Sequence, residues 1–199
     1  MSIITADFIP FPKIGRLNRG MIITEKLDGT NAQVWVAPAG EEAPPHFAVR
    51  VTAAAGDFFV GAASRTRWIA PEADNFGFAA WVRKNATELA ELGPGRHFGE
   101  WWGLGIQRGY GLHERRFSLF NAGRWGDKRP ACCHVVPTIY EGPFEQNAVR
   151  GIIAGLRLLG STAAPGFMKP EGVVIWHEGA RQVFKVTLEG DDAPKSLAA

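Results

Sequence analysis

The sequence has few cysteines and no strong excess of charge of either sign. Its 199 residues include two cysteines, Cys132 and Cys133, and the formal net charge is +2. Adjacent cysteines suit neither a disulfide framework nor the paired C-x-x-C clusters of zinc sites, so we expect free thiols in a reducing, cytoplasmic compartment. The weak net charge neither demands nor excludes a polyanionic partner.

Long apolar runs are also missing. The N-terminal segment has no continuous apolar stretch of the kind found in secretory signals, and no run approaches the ~20 apolar residues of a membrane span. We therefore expect a soluble intracellular protein without a membrane partner. With 46% hydrophobic residues, the chain is long enough for one sizeable core, and we predict a single domain over residues 1–199.

Short strand-like segments dominate what is present. They are rich in β-branched and aromatic residues, bounded by glycine or proline, and cover residues 21–26, 31–36, 47–52, 97–102, 117–121, 135–140, 172–177 and 182–187. Apolar residues at helical spacing predict helices over 74–92 and 145–159, the second ending at Gly160. Residues 37–45 are the clearest loop, and the tail 190–199 is expected to fray. This arrangement predicts an α+β fold with two mainly antiparallel sheets flanked by helices.

The candidate chemistry begins at a lysine that follows an apolar strand. It lies in the segment Thr24-Glu25-Lys26-Leu27-Asp28-Gly29-Thr30-Asn31, a turn that presents an amine beside a carboxylate. A lysine becomes a nucleophile when burial or nearby cations lower its pKa, and Gly29 lets the backbone approach a phosphate closely. Taken alone, the pattern is more typical of an Asp-Gly hairpin turn with a solvated lysine.

Five further elements follow in a fixed order. They are Ala63-Ser64-Arg65-Thr66, Phe98-Gly99-Glu100-Trp101, Phe117-Ser118-Leu119-Phe120-Asn121, Glu171-Gly172-Val173-Val174-Ile175 and Val183-Phe184-Lys185-Val186. With the Lys26 element, this series resembles the covalent nucleotidyltransferase superfamily, which contains ATP-dependent RNA ligases, DNA ligases and the guanylyltransferases that cap mRNA. The resemblance implies a nucleotidyltransferase core similar to ATP-grasp folds, a single adenylyltransferase domain, and ATP and Mg²⁺ as cofactors, with Mn²⁺ as a substitute.

The resemblance also implies a role for each residue. Lys26 would carry AMP covalently, and Glu100 and Glu171 would bind the metal. The nucleotide-binding set comprises Glu25, Asp28, Gly29, Asn31, Arg65, Glu100, Phe120, Val174 and Lys185. Strand alternation independently puts Phe120 on one face with Ser118 and Phe117 on the other with Leu119, so we expect Phe120 to stack on the base and Phe117 to pack in the core.

Three positions depart from the superfamily pattern. Thr187 stands where a second lysine often follows, so the phosphate clamp is either weaker or supplied by Lys169 or Lys13. Asp28 is the choice typical of DNA ligases, whereas the frame T-E-K-x-x-G-T-N resembles phage-type RNA ligases. Asn121 stands where many members have aspartate.

Basic residues are enriched between positions 96 and 129, with aromatic residues interleaved. Arg115 and Arg116 are the candidates for binding nucleic-acid phosphates, and a solvated loop face is an equal alternative. The leading hypothesis is an ATP-dependent RNA ligase that seals 5′-phosphate and 3′-hydroxyl ends through lysyl-AMP. Alternatives are a minimal DNA ligase, a GTP-using capping enzyme, and a non-catalytic nucleic-acid-binding module.

The expected partners are RNA or DNA strand ends. We expect a monomer and leave a partner protein open. Only 14 residues follow Lys185, so we expect neither an oligonucleotide-binding barrel nor a helical C-terminal domain after the core.

Overall fold

β-Strands account for most of the regular structure. The structure of the chain, a computed structural model, describes residues 8, 10–40, 45 and 47–189. In chain order the strands are β1 (Gly20–Lys26), β2 (Thr30–Pro38), β3 (Val49–Ala53), β4 (Gly56–Ser64), β5 (Gly95–Gly103), β6 (Arg115–Leu119), β7 (His134–Val135), β8 (Thr138–Pro143), β9 (Gly172–His177) and β10 (Gln182–Thr187). The α-helices of the described residues are α1 (Phe78–Lys84), α2 (Ala86–Leu89), α3 (Ala122–Trp125) and α4 (Gln146–Leu159).

The strands form two sheets. A four-stranded sheet has the order β10-β9-β1-β8, and a six-stranded sheet has the order β3-β4-β2-β5-β6-β7. All pairings in the four-stranded sheet are antiparallel, and in the six-stranded sheet β6 and β7 run parallel while the other neighbours run antiparallel. Together with the helices, these sheets confirm the predicted α+β fold.

Each sheet has its own apolar core, and a third cluster connects them. Helices α1 and α2 pack on the six-stranded sheet around large buried side chains that include Phe78, Val82, Leu89, Trp101, Phe117 and Leu119. Helix α4 packs on the four-stranded sheet around Met21, Ile23, Leu156, Val173 and Ile175. The third cluster contains Leu27, Trp102, Tyr110, Val136 and Ala164. Because Leu27 follows β1 and Trp102 belongs to β5, this cluster fixes one sheet against the other where β1 leads into β2.

The helix predicted over residues 74–92 is shorter and broken. Asp74 accepts hydrogen bonds from backbone N–H groups of the first helical turn, and Gly77 has a left-handed φ of 73°. Helix α1 therefore begins at Phe78, and a break separates it from α2. Phe76, one of the apolar residues that defined the predicted helix, is exposed outside it. Of the other three residues at helical spacing, Ala80 is exposed whereas Leu89 and Leu92 are buried, so the predicted apolar face holds only in the second half of the segment.

Three strand predictions also differ from the structure. Strand β4 was not predicted from the sequence, because much of this strand is a buried run without polar alternation. The predicted strand 135–140 is two strands, β7 and β8, separated at Pro137, whose nitrogen has no hydrogen for a ladder bond. The strand predicted to reach Asn121 ends at Leu119. The prediction of helix α4 was accurate, and Gly160 ends it with a φ of 81°.

Two predicted irregular segments lie partly or wholly outside the described residues. Of the predicted loop 37–45, β2 continues through Pro38 and residues 41–44 are not described. The tail 190–199 also lies outside the described residues. Among the helices that the structure describes, none has the length and apolar character needed to span a membrane.

Candidate active site

The turn that follows Lys26 connects the two sheets. Strand β1 ends at Lys26 in the four-stranded sheet, and β2 begins at Thr30 in the six-stranded sheet. An ordinary Asp-Gly hairpin is therefore excluded, since a hairpin joins neighbouring strands of one sheet. Gly29 allows a close approach, because a Cβ there would lie 2.5 Å from the carbonyl oxygen of Trp101. The amine of Lys26 thus stands where the sheets meet.

Lys26 forms an ion pair with a carboxylate at the start of β9. Its Nζ donates a hydrogen bond to Oε1 of Glu171 at 2.5 Å. The sheet register produces this contact, because Lys26 pairs with Gly172, which follows Glu171. The second carboxylate oxygen of Glu171, Oε2, is buried and has no hydrogen-bond partner among the described residues. Buried polar atoms are usually satisfied, so this oxygen is a candidate ligand-binding atom.

Glu100 reaches the same region from the six-stranded sheet. Its Oε1 accepts a hydrogen bond from the backbone N–H of Gly29 at 3.2 Å. Burial raises the pKa of the Glu100 carboxyl from its ordinary value of 4.5 to about 7, although Lys26 and the Gly29 N–H lower it. The negative charges of Glu171 and Asp28 raise the pKa further. These four charged side chains, predicted from three separate motifs, therefore form one electrostatic cluster.

Arg108 and Tyr110 contact the turn, and neither was predicted from the sequence as a site residue. Arg108 Nε donates to Oδ2 of Asp28 at 2.8 Å, and the Tyr110 hydroxyl accepts a hydrogen bond from the Asp28 N–H at 2.9 Å. They belong to the loop 104–112, where Gln107 and Tyr110 have positive φ values of 45° and 53°. Such strain is common at functional sites. The sequence feature that could have indicated this loop is the glycine-rich string G-L-G-I-Q-R-G-Y-G at residues 103–111.

Arg108 also connects the turn to the segments before β9 and after β10. Its Nη1 donates to Oε1 of Glu189 at 3.0 Å and to the carbonyl oxygen of Lys169 at 3.2 Å. The side chains of Lys169 and Lys13, considered as substitutes for a second phosphate-binding lysine, are exposed. Arg108 is the cation that the structure places against Asp28, and it holds the turn in position.

Strand register groups several predicted residues on the face of the four-stranded sheet that carries Lys26. Lys26 aligns with Gly172 and Thr187, and Val174 aligns with Lys185. Residues opposite each other across antiparallel strands point to the same side. Val174, Lys185 and Thr187 therefore share the face of Lys26, while the other face packs on α4.

Aromatic side chains are available on the corresponding face of the six-stranded sheet. Phe98 lies two residues before Glu100 on β5, hence on the same face, and is 52% exposed. The N–H of Phe120 donates to the carbonyl oxygen of Phe98 at 3.0 Å, just beyond the end of β6, and Phe120 is 40% exposed. Phe117 is buried in the core, as predicted. Phe120 as the stacking residue stays a prediction, and Phe98 is a neighbour that sequence reasoning did not single out.

The side chain of Glu25 points away from this face. It is 1% exposed and accepts hydrogen bonds from Ser161 Oγ at 2.6 Å and from the N–H groups of Thr162 and Ala163, each at 2.8 Å. Burial raises its pKa, and these three hydrogen bonds lower it. Its side chain thus fixes the segment after α4 to β1, and a nucleotide contact by Glu25 stays a prediction.

The three predicted arginines lie in different surroundings. Arg65 is exposed in the 64–67 turn, which follows β4. This turn lies at the same end of the six-stranded sheet as Asn31 and Glu100. Arg115 donates to the carbonyl oxygens of Leu104 and Phe76. Arg116 forms an ion pair with Glu114. It lies opposite Trp102, which is two residues after Glu100 on β5, so Arg116 and Glu100 share one face of the sheet. Adjacent strand residues point to opposite faces, so Arg115 and Arg116 do not form one patch.

The carboxylates near Lys26 suit a divalent cation that arrives with a nucleotide. Within the described residues, no group of three or more His, Cys, Asp or Glu side chains is placed to hold a metal ion. Mg²⁺ is commonly bound by one or two carboxylates together with substrate phosphates. Glu100 and Glu171 provide such a pair, and the buried Oε2 of Glu171 lacks a partner among the described residues. The donor set therefore fits Mg²⁺ or Mn²⁺.

A cavity of about 770 Å³ lies elsewhere, between α4 and the back of the four-stranded sheet. It is mainly apolar, and its lining includes Phe144, Val149, Ile175 and Phe184. None of the predicted site residues lines it. The candidate site is therefore the more open region around Lys26.

The sequence matches a known family over most of its length. The family model described as RNA ligase matches residues 19–187. This segment contains every predicted catalytic, metal-binding and nucleotide-binding residue. No curated protein sequence matches the chain.

Solved structures of an RNA ligase from Naegleria gruberi have a similar fold. A lysine-to-alanine variant in its apo form gives a TM-score of 0.55 at 19% identity, covering 85% of this chain and 50% of that chain. A variant with ATP and Mn gives 0.56 at 19% identity, covering 86% and 50%. A lysine-to-methionine variant with AMP and Mn gives 0.56 at 19% identity, covering 87% and 51%. The chain spans about half the length of these relatives, and at this identity the likeness establishes the fold.

Proposed function

The chain belongs to the RNA ligase family, and we propose that it is an ATP-dependent RNA ligase. In this proposal Lys26 takes AMP from ATP, the AMP passes to a 5′-phosphate end, and a 3′-hydroxyl end displaces it. The observation that carries the proposal is the amine of Lys26 at the junction of the sheets, 2.5 Å from Glu171 and inside the segment that the family model matches.

The first step is an in-line attack by the lysine amine. The lone pair of Nζ forms a bond to the α-phosphorus while the bond to the β-phosphate oxygen breaks, and pyrophosphate leaves. Nζ must lose a proton before it attacks, and Glu171 is the carboxylate in contact with it. Lys185, on the same face of the sheet, supplies positive charge to stabilise the phosphate oxygens.

The remaining predicted residues bind the nucleotide and the cation. Glu100 and Glu171 would hold Mg²⁺, or Mn²⁺ in its place, and the cation would supply positive charge to stabilise the phosphates. Val174 from one sheet and Phe120 from the other contact the two faces of the base. Arg108 keeps the turn in position through Asp28.

RNA strand ends are the proposed substrates, and DNA ends are the alternative. The frame around Lys26 supports RNA, while Asp28 is the residue typical of DNA ligases. The adjacent Cys132 and Cys133 are free thiols, and a reducing, cytoplasmic environment stays a prediction. A monomeric state stays a prediction.

The proposal is tested by covalent labelling. The protein is incubated with Mg²⁺ and α-labelled ATP or GTP, denatured, and examined for retained label. We expect label from ATP, none from GTP, and none in Lys26→Ala. The matched control is Lys84→Ala, at the exposed end of α1, which should label like the parent. Labelling from GTP alone would identify a capping enzyme, and absence of label from both nucleotides would contradict the proposal.

Substrate choice needs a second comparison. Adenylylated protein is offered nicked or single-stranded substrates that carry either RNA or DNA at the 3′-hydroxyl side. Faster sealing of RNA ends is expected. Faster sealing of DNA ends would favour the DNA ligase alternative over the RNA ligase, and it would not contradict the proposed lysyl-AMP intermediate.

A further inference from the structure

Thr187 lies in register with the reactive lysine. Across the four-stranded sheet, Lys26 pairs with Gly172 of β9, and Gly172 pairs with Thr187 of β10. The three residues form one row, and two strand spacings put about 10 Å between the outer Cα atoms. Gly172 has no side chain, and a Cβ there would lie 2.8 Å from the Cα of Thr187, so glycine allows β10 to lie close to β9 in this row.

The hydroxyl of Thr187 is buried without a partner. Its Oγ1 and the Oε2 of Glu171 are the two buried side-chain oxygen or nitrogen atoms that lack a hydrogen bond within the described residues. Both adjoin Gly172, and Glu171 is the carboxylate that contacts Lys26. Burying an unpaired hydroxyl destabilises a fold, and valine would fill the same volume without that penalty. Thr187 lies in the row that contains Lys26, and Glu171 directly precedes the residue between them, so the shared location of the two unpaired atoms points to a bound ligand as their missing partner.

The chemistry of the neighbours limits what this hydroxyl can bind. A carboxylate such as Glu171 only accepts hydrogen bonds, and a lysine ammonium only donates them, whereas a hydroxyl does both. The ligand that meets Lys26 in the proposed reaction is a phosphate, whose oxygens are strong acceptors. A hydroxyl beside that phosphate is therefore a donor to it.

We propose that Thr187 is a nucleotide-binding residue, whose Oγ1–H donates a hydrogen bond to an oxygen of the phosphate that Lys26 attacks. This inference rests on the proposed function, because it places a nucleoside triphosphate at Lys26. A neutral hydroxyl stands where the superfamily often has a second lysine, so Thr187 orients the phosphate without adding charge.

The test compares Thr187→Val, which keeps the shape and removes the hydroxyl, with Thr187→Ser, which keeps the hydroxyl. Lysyl-AMP formation is measured over a range of ATP concentrations with Mg²⁺, and thermal unfolding is measured without ligands. Thr187→Val should lower kcat/KM for lysyl-AMP formation roughly 10- to 100-fold, the range expected for one hydrogen bond to a charged group. Its unfolding temperature should equal or exceed that of the parent, because the lost hydroxyl has no partner in the described structure.

Two control variants distinguish the loss of one hydrogen bond from a change in packing. Thr187→Ser should retain most of the activity, and Thr87→Val, at an exposed position of α2, should behave like the parent. Unchanged labelling by Thr187→Val, or a marked fall in its unfolding temperature with Thr187→Ser also inactive, would overturn the inference. If the parent protein itself forms no lysyl-AMP, the proposed function fails first, and the two failures are thereby distinguished.

Discussion

Glu100 is a carboxyl group that the fold holds in an unfavourable environment. Burial raises its pKa to about 7, and the nearby negative charges of Glu171 and Asp28 add to that effect. A raised carboxyl pKa of this kind is typical of cation-binding sites, since a bound positive charge would lower the pKa and restore the ionised form. In the absence of metal and nucleotide, an ionised Glu100 therefore lowers the free energy of unfolding.

Glu100→Gln should stabilise the metal-free protein at alkaline pH. Because the folded pKa is raised, the folded state keeps a proton that the unfolded state releases between pH 4.5 and about 7, and stability falls as pH rises through this window. The amide avoids this loss, so the free energy of unfolding should exceed that of the parent by at most about 3 kcal/mol near pH 8. The gain should vanish near pH 4.5.

Urea unfolding in the presence of a chelator measures this difference at both pH values. Glu91→Gln, which changes an exposed carboxylate, is the matched control and should have little effect at either pH. An equal effect of Glu100→Gln at both pH values would show that the raised pKa does not contribute to stability.

At the scale of elements, the segment after α4 is held to β1 by a single carboxylate. Glu25 accepts hydrogen bonds from the Ser161 hydroxyl and from two backbone N–H groups. The same segment contributes Ala164 to the cluster that includes Leu27 and Tyr110 behind the Lys26 turn. Glu25 therefore connects the segment after α4 to β1, and the apolar cluster connects the same segment to the turn after Lys26.

Glu25→Gln should destabilise the fold. The amide oxygen can still accept from the two backbone N–H groups, but its NH2 group then faces the Ser161 hydroxyl, which loses its acceptor at a cost of about 1–3 kcal/mol. Urea unfolding near neutral pH measures the loss. The matched control is Glu145→Gln, since Glu145 is exposed at the start of α4 and makes no side-chain capping bond. A raised KM for ATP without loss of stability would instead favour the nucleotide contact that the sequence predicted for Glu25.

Local patterns predicted the strands and the motifs, whereas contacts between distant segments had to come from the structure. The family-like strings predicted Lys26, Glu100 and Glu171 as site residues, and the structure brings the three together. Alternation along β6 predicted that Phe117 is buried, as it is. Strand β4 was missed because a buried run carries no alternation. Arg108 was missed as a site residue because its contact with Asp28 joins residues 80 positions apart, and sequence spacing does not encode such a pairing.

At the scale of the whole molecule, the amine of Lys26 lies where the two sheets meet, and in the proposed function a nucleic-acid end must reach it. Arg116 shares the face of Glu100, whereas Arg115 is engaged with backbone carbonyl oxygens of Phe76 and Leu104. The two neighbouring arginines thus have different surroundings. Arg116 is the better candidate for a phosphate contact, and Arg115 for stabilising the loops around it.

Sealing should depend on salt more strongly than self-adenylylation. Binding of a strand releases counterions from many phosphates, whereas ATP binding is local. Raising salt from about 50 to 200 mM should therefore weaken sealing by orders of magnitude and leave lysyl-AMP formation nearly unchanged. Arg116→Gln should reduce the salt slope of strand binding by about 0.7, the value for one contact to a single strand.

Arg115→Gln is the matched control for Arg116→Gln, because the neighbouring residue undergoes the same chemical change. It should lower stability through its lost bonds to carbonyl oxygens while leaving the salt slope unchanged. Parallel loss of both half-reactions with salt, or a reduced slope in Arg115→Gln alone, would place the strand on another surface.

Covalent attachment of AMP to Lys26 is tested most directly by peptide mapping with mass spectrometry. The intact protein is treated with ATP and Mg²⁺, digested and searched for a peptide that carries one added AMP. We predict a single modified site at Lys26, with the parent protein modified and Lys26→Ala unmodified. An AMP group on another lysine, or none with either Mg²⁺ or Mn²⁺, would contradict the assignment of Lys26 as the nucleophile.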